Sequence, residues 1–375
     1  MNRHSETTPT IMKPPAPAPP FRPAATPVPD SPVEAPFAME STVAALLASG
    51  KGILAADESL PTIGKRFAAL QIPSTEENRR AYRELLFTTP GLGEFISGTI
   101  LFDETIRQKT GEGVSMPGLL AGQGILPGIK VDKGTIALPG FAGEKITQGL
   151  DGLRERLVAY RELGARFTKW RSVIAIGEGL PTTACIEANA LMLALFAALS
   201  QEAGLVPIVE PEVLMDGNHP IARCEEITNA TLKVVFATLC DHRVVLEAML
   251  LKTSMVLPGK DCPEQAGPEA VAEATIHCMR RAVPAAVPGI VFLSGGQSDV
   301  VATERLNAIC RVGGVPWKLS FSFGRALQDT AMRIWKGSPA NAAAAQAALR
   351  HRARCNRRAV QGTYSEQAER GGSAF

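Results

Sequence analysis

The sequence predicts an α/β protein: a single (β/α)8 barrel of the TIM type, preceded by a Pro/Ala-rich tail and followed by a C-terminal helix and short tail. Three observations predict it. Eight short apolar, β-branched runs recur along the chain. Longer stretches with helical spacing separate them, and no block is made of strands or helices alone. No GxGxxG or GxxxxGK[ST] stands at a strand-to-helix turn, so the main rival, an open doubly wound sheet, lacks its nucleotide signature.

Taken in order, residues 1–37 are a different material from the rest. The stretch PPAPAPPFRPAATPVPDSPVEAP is expected to be a disordered or polyproline-like tail. A transit peptide is the alternative, disfavoured by little Arg and no clear amphipathic helix. The barrel is expected over 38–345, with strands GILAAD (52–57), FISGTILFD (95–103), LPGIKVD (126–132), RFTKWRSVI (166–174), LVPIVEPE (205–212), VVLEAMLLK (244–252), GIVFLSGG (289–296) and WKLSFSFGR (317–325). Between them, TEENRRAYRELLFT reads as a helix opened by Thr75, with glutamates in its first turn. LDGLRERLVAYRELGA is a second helix, and TTACIEANALMLALFAALSQEAG a long one stopped at Gly204. Residues 346–375 hold a basic helix and a tail.

Composition narrows the classes. With 375 residues and 45% hydrophobic content the chain can bury a large core. Lys+Arg 39 against Asp+Glu 37 is too balanced to indicate a nucleic-acid or membrane partner, and no apolar run is expected to span a bilayer. Seven scattered cysteines without a CxxC pair point to a reducing, cytoplasmic setting and to mostly buried thiols.

Active sites of such barrels lie at the C-terminal ends of the strands, and here those ends are ionic. They carry Asp57, Lys130 with Asp132, Lys169 with Arg171, Glu210 with Glu212, Lys252, Ser294 with Gly295 and Gly296, and Gly324 with Arg325. Any one charged strand end is more often a solvated boundary than a catalyst. Six of the eight strands carry an ionisable end, however, and the cations outnumber the carboxylates, which suits an anionic ligand. The glycines of LSGGQS and FSFGR follow strands seven and eight, where barrels often hold a phosphate. Ser59, Thr62 and Lys130 could hold a second anionic group. Lys252 ends an apolar strand beside Lys169 and Arg171, so desolvation and like charge both favour its neutral form. A neutral amine can add to a carbonyl as a Schiff base, with Glu210 and Asp57 as the available acid/base groups.

The motifs GILAADES, GKR, TEENRR, ILFDET, GIKVDKG, TQGLDGL, FTKWR, VPIVEPE, LLK, FLSGGQS and FSFGRAL, in this order, closely resemble class I fructose-1,6-bisphosphate aldolase, the metal-independent type. The likeness runs from about residue 50 to about 364. It implies a (β/α)8 barrel, usually a homotetramer, that cleaves fructose 1,6-bisphosphate reversibly to dihydroxyacetone phosphate and glyceraldehyde 3-phosphate without a cofactor. By resemblance Lys252 is the Schiff-base lysine and Glu210 the acid/base of imine formation. Asp57 assists carbon–carbon bond cleavage, Lys169 positions the reacting hydroxyls, and Arg171 is a neighbouring site arginine. Phosphate contacts fall on Ser294, Gly295, Gly324 and Arg325 at one end and on Ser59, Thr62 and Lys130 at the other, with Arg66 flexible between them.

The sequence departs from the family in Thr-Ser-Met after Lys252, where Pro-Asn-Met is common, in Phe323 for Tyr, and in Phe375, where many members have a tyrosine that assists enamine protonation. Phe375 has no hydroxyl for that work. Three other readings compete, the first a different Schiff-base aldolase or transaldolase acting on another sugar phosphate, since charge does not set substrate selectivity. A zinc-dependent aldolase is poorly served, because five histidines form no HxH or HxxxH pair, so no metal is expected. A catalytically silent barrel would have no reason to keep Lys252, Glu210, Lys169 and Asp57 together.

Overall fold

The structure, a computed structural model, describes residue 1 and residues 34–371. From Glu34 onward the chain forms one compact unit. Eight strands close into a barrel: β1 Gly52–Ala56, β2 Ile96–Leu101, β3 Leu126–Lys130, β4 Phe167–Ile174, β5 Val206–Val213, β6 Leu250–Thr253, β7 Gly289–Phe292 and β8 Lys318–Phe323. Each pairs in parallel with its sequence neighbours, and β8 closes on β1 through Ile53 opposite Ser322 and Leu54 opposite Phe323. The expected barrel is therefore the observed one.

The period of two along each strand sorts its residues. Ile53 and Ala55 of β1, Phe167 of β4, Val206 and Ile208 of β5, Leu250 of β6 and Val291 of β7 share one buried cluster inside the barrel. Leu54, Ala56, Ile129, Trp170, Val209 and Leu251 face outward into the larger core beneath the helices. Phe167 fits inside only because its neighbours are small. A Cβ on Gly128 would stand 2.2 Å from its ring, and one on Gly98 would meet both Phe167 and Leu46. Helix Glu34–Leu46 completes this cluster with Met39, Val43 and Leu46.

Three expected helices stand as read. Thr75 caps Glu76–Phe87 by accepting from the backbone N–H of Asn78 at 3.2 Å, and Glu76 and Glu77 fill its first turn. Leu153–Glu162 and Thr183–Glu202 follow, the latter with Gly204 beyond it at φ +71°.

Several boundaries need correction. Of the tail expected over 1–37, residues 2–33 lie outside the described residues, and helix Glu34–Leu46 begins inside its last positions. The expected division between 345 and 346 falls within helix Ala342–Val360, which packs on helices Asp299–Val312 and Arg325–Trp335 as part of the same unit. The run VVLEAMLLK is strand only from Leu250, and Leu246–Ala248 form a 3-10 turn. Gln201, near the end of the long helix, explains it: its amide donates to the carbonyls of Val245 and Ala248 and accepts from the N–H of Val245, removing that backbone from any ladder. An antiparallel hairpin, Thr135–Ala137 with Lys145–Thr147, follows β3 and was not expected. Helix Thr183–Glu202, at mean hydropathy 1.6, is long and apolar enough to cross a bilayer, contrary to the expectation from the sequence. It packs instead on β4, β5 and helix Ile221–Asp241, half of it buried.

Candidate active site

The inward face of each strand starts apolar and ends ionic. In β4 the inward positions run Phe167, Lys169, Arg171; in β5, Val206, Ile208, Glu210, Glu212; in β6, Leu250, Lys252. After β1, the alternation Ile53, Ala55 brings Asp57 to the same side. Register brings these ends together, with Lys130 opposite Lys169, Arg171 opposite Glu210, and Ile208 opposite Leu250.

Glu210 lies between two ammonium groups. One carboxylate oxygen is 3.1 Å from Nζ of Lys252 and the other 2.7 Å from Nζ of Lys169, whose far side reaches Asp57 Oδ2 at 3.1 Å. Lys169, Glu210 and Lys252 are each at least 95% buried. The Lys169 ammonium and the Glu210 carboxylate face each other as an ion pair without hydrogen-bond alignment.

The charges tune one another. Burial pushes the Lys252 amine below the ordinary lysine range, Arg171 pushes the same way, and Asp57 and Glu212 oppose them. Burial likewise brings Lys169 down to about 8, aided by Lys252 and Lys130 and resisted by Asp57 and Asp132. Burial would raise the Asp57 carboxyl, but Lys169, Lys252 and Lys130 outweigh it and hold it at about 2. Desolvation, ahead of the crowding of cations, therefore favours the neutral amine.

The two glycine loops converge. Ser294 is buried after β7, and Gly295 and Gly296 turn at φ +60° and +96°, where side chains are strained. A Cβ on Gly296 would come within 3.2 Å of the Arg325 guanidinium, so Arg325 lies directly over this loop. Gly324 lets the chain pass Ala55, whose carbonyl accepts from Gln328, and Gln328 in turn accepts from the Tyr82 hydroxyl at 3.0 Å. Ser59 and Thr62 stand together elsewhere, hydroxyls 3.0 Å apart, at the start of helix Leu60–Ala68. Lys130 pairs with Asp132, and Arg171 with the buried Glu212.

Arg66, expected to be flexible between the two phosphate ends, is held here by ion pairs. Its guanidinium pairs with Glu58 and, at 2.6 Å, with Asp329. Glu58 also accepts from the buried Arg83 at 2.7 Å, and these two arginines hold its carboxyl below the usual range against the upward push of burial. Sequence reasoning missed this Glu58–Arg83–Asp329 network. Glu58 beside Asp57 was its one visible signal, since Arg83 and Asp329 sit within ordinary helical patterns. Phe375 lies outside the described residues.

A family model described as fructose-bisphosphate aldolase class-I matches residues 38–374. The chain belongs to the class I fructose-bisphosphate aldolase family. It is 56% identical over 327 residues to a probable fructose-bisphosphate aldolase class 1 of Xanthomonas campestris, covering 87% of this chain and 98% of that one. It is 51% identical to the cytosolic fructose-bisphosphate aldolase 4 of Arabidopsis thaliana, over 87% of this chain and 83% of that one. A crystal structure of the Plasmodium falciparum aldolase, in complex with TRAP and a small-molecule inhibitor, superposes with a TM-score of 0.88 at 48% identity, covering 89% of this chain and 97% of that one. Membership makes the chain a fructose-bisphosphate aldolase and so a carbon–carbon lyase, as its motifs implied.

Proposed function

We propose that the chain cleaves fructose 1,6-bisphosphate reversibly to dihydroxyacetone phosphate and glyceraldehyde 3-phosphate through a Schiff base on Lys252, in the cytoplasm and as a homotetramer, within glycolysis and gluconeogenesis. The observation that carries the mechanism is the buried Lys252 amine, shifted toward its neutral form, with one Glu210 oxygen 3.1 Å away. The neutral amine attacks the ketone carbon, and Glu210 supplies the proton that lets the carbinolamine hydroxyl leave as water, giving an iminium ion. Asp57, kept ionised at about 2, accepts the proton of the hydroxyl two carbons beyond the iminium carbon. As that hydroxyl becomes the aldehyde carbonyl, the carbon–carbon bond breaks and its electron pair moves into the iminium to form an enamine. Lys169, 3.1 Å from Asp57 and 2.7 Å from Glu210, fixes both carboxylates and faces the developing charge on the reacting hydroxyls. Protonation of the enamine carbon and hydrolysis of the resulting imine release the second product.

Ser294, Gly295, Gly324 and Arg325 hold one phosphate, and Ser59, Thr62 and Lys130 the other. Arg171 and Glu212 line the mouth, and Arg66 joins once it leaves Glu58 and Asp329. The cytosolic names of plant relatives support the location.

The test is borohydride reduction in the presence of substrate. A reduced adduct mapped to Lys252, lost in Lys252→Met and in Lys252→Arg together with turnover, is the expected result. Normal turnover in either variant, or activity abolished by EDTA, would overturn the mechanism.

A further inference from the structure

His351 and Cys355 stand one turn apart on helix Ala342–Val360, and Glu369 reaches them from the short helix Glu366–Arg370. None takes part in the chemistry above. Nε2 of His351 lies 3.6 Å from Sγ of Cys355 and 3.7 Å from Oε1 of Glu369, and all three donor atoms fall within 4.8 Å of one another. A tetrahedral ion with bonds of ~2.0–2.3 Å to N, S and O spaces its donor atoms ~3.3–3.8 Å apart. Two of the three edges already have that length.

We propose that His351, Cys355 and Glu369 form a site for a thiophilic divalent cation, zinc(II) by its ligand chemistry, which clamps helix Glu366–Arg370 onto helix Ala342–Val360. The groups behind the ligands fit the assignment. Glu369 accepts from the Tyr364 hydroxyl at 2.6 Å through Oε2, which holds the carboxylate from outside, while Oε1, the oxygen facing His351, also pairs with Arg352 and keeps a second lone pair for a metal. Cys355 is 1% exposed, so its thiol can gain a metal only as part of a closed site.

Charge sets the selectivity. Arg350, Arg352, Arg354, Arg357 and Arg358 make this helix basic, which works against any dication. Thiolate and carboxylate together neutralise a zinc ion, whereas magnesium and calcium gain little from sulfur and meet only the repulsion. Binding forms the metal–sulfur, metal–nitrogen and metal–oxygen contacts and releases one proton, from the thiol, to solvent. The Arg354 guanidinium stands 3.2 Å from His351 Nδ1, which accepts there, so the ring proton sits on Nε2. On binding, that proton moves to Nδ1 and the exposed Arg354 contact opens. Arg352 also donates to the carbonyl of Asp299 and the hydroxyl of Thr303, on the helix that follows the Ser294–Gly296 loop. The clamp therefore rests on the support of that loop. The HxxxH criterion missed the cluster because a cysteine stands where the second histidine would be.

The experiment is cobalt(II) titration of the purified, metal-stripped full-length chain. One equivalent should produce a thiolate-to-cobalt charge-transfer band with tetrahedral d–d absorption, and zinc should displace it and raise the thermal unfolding midpoint. Cys355→Ser should remove the thiolate band, and His351→Gln and Glu369→Gln should each weaken binding at least about tenfold. Cys240→Ser, at the exposed cysteine, should leave it unchanged. Full aldolase turnover without metal confirms that each variant is folded; where Cys355→Ser is not, Glu369→Gln decides. A chain that develops no thiolate band, a band that persists in Cys355→Ser, or affinity unchanged in Glu369→Gln would overturn the proposal.

Discussion

Glu210→Gln removes one negative charge from between two buried ammonium groups while keeping the size of the side chain and an acceptor oxygen. The Glu210 oxygens stand 3.1 Å from Lys252 Nζ and 2.7 Å from Lys169 Nζ. At an effective dielectric constant near 20, unit charges this close attract by about 5 kcal/mol. The amide oxygen still accepts from an ammonium and the neighbours relax, so only part of this is lost. A quarter of it, about 1.4 kcal/mol, already equals one pKa unit. Burial has placed both lysines low, and removing a negative charge beside an ammonium lowers its pKa further. Lys252 then spends more of its time neutral, yet the group that carries protons for imine formation is gone. Two readouts should therefore diverge. The pH midpoint for reductive methylation of Lys252, resolved by peptide mass spectrometry, should fall by at least about one unit, whereas kcat for cleavage should fall about 10²–10⁴-fold. A midpoint that stays or rises would mean that Glu210 carries no charge beside Lys252. A retained kcat would mean that the proton carrier is another group.

Three further outcomes follow from the same geometry. Arg325→Ala removes the guanidinium over the Ser294–Gly296 loop. Because hydrogen bonds to charged groups contribute about 1.5–3 kcal/mol, KM for the bisphosphate should rise roughly tenfold to a hundredfold in steady-state kinetics, and an unchanged KM would remove Arg325 from the phosphate site. Gly128→Ala puts a methyl 2.2 Å from the Phe167 ring and should cost about 1–3 kcal/mol of stability in denaturant titration. Phe167→Leu should rescue part of that loss in the double variant; strict additivity would show that the two positions do not compete for space. Asp57 titrates near 2 in the folded chain against an ordinary 3.8, so its stabilising contribution is complete above about 3.8 and lost as the pH falls toward 2, about 2 kcal/mol in all. Asp57→Asn should flatten the fall of the denaturation midpoint across that window, and an acid limb as steep as in the parent chain would contradict the assignment.

Much of the fold was legible because it rests on local rules. Eight runs with strand character, Thr75 as a helix cap and Gly204 as a stop each depend on a few neighbouring residues. The errors came where a distant side chain intervened. Gln201 takes the backbone of Val245 and Ala248 out of the sixth run, and nothing within VVLEAMLLK records that. Within the site, period-two alternation was enough to aim Lys169 with Arg171 at one face. The parking of Arg66 on Glu58 and Asp329 was not legible, since Asp329 lies on a helix beyond the last strand. His351, Cys355 and Glu369 meet only because two helices fold back on each other.

By itself, then, the sequence determined the order of the eight barrel strands and which strand ends are charged, because both follow from spacing along one segment. Only the tertiary structure decided how those charges behave. Closing the barrel lines up Asp57, Lys169, Glu210 and Lys252, each about 3 Å from the next, and buries them away from water. A lysine's affinity for its proton depends on that solvent and on those neighbours, and neither is a property of the segment that carries it.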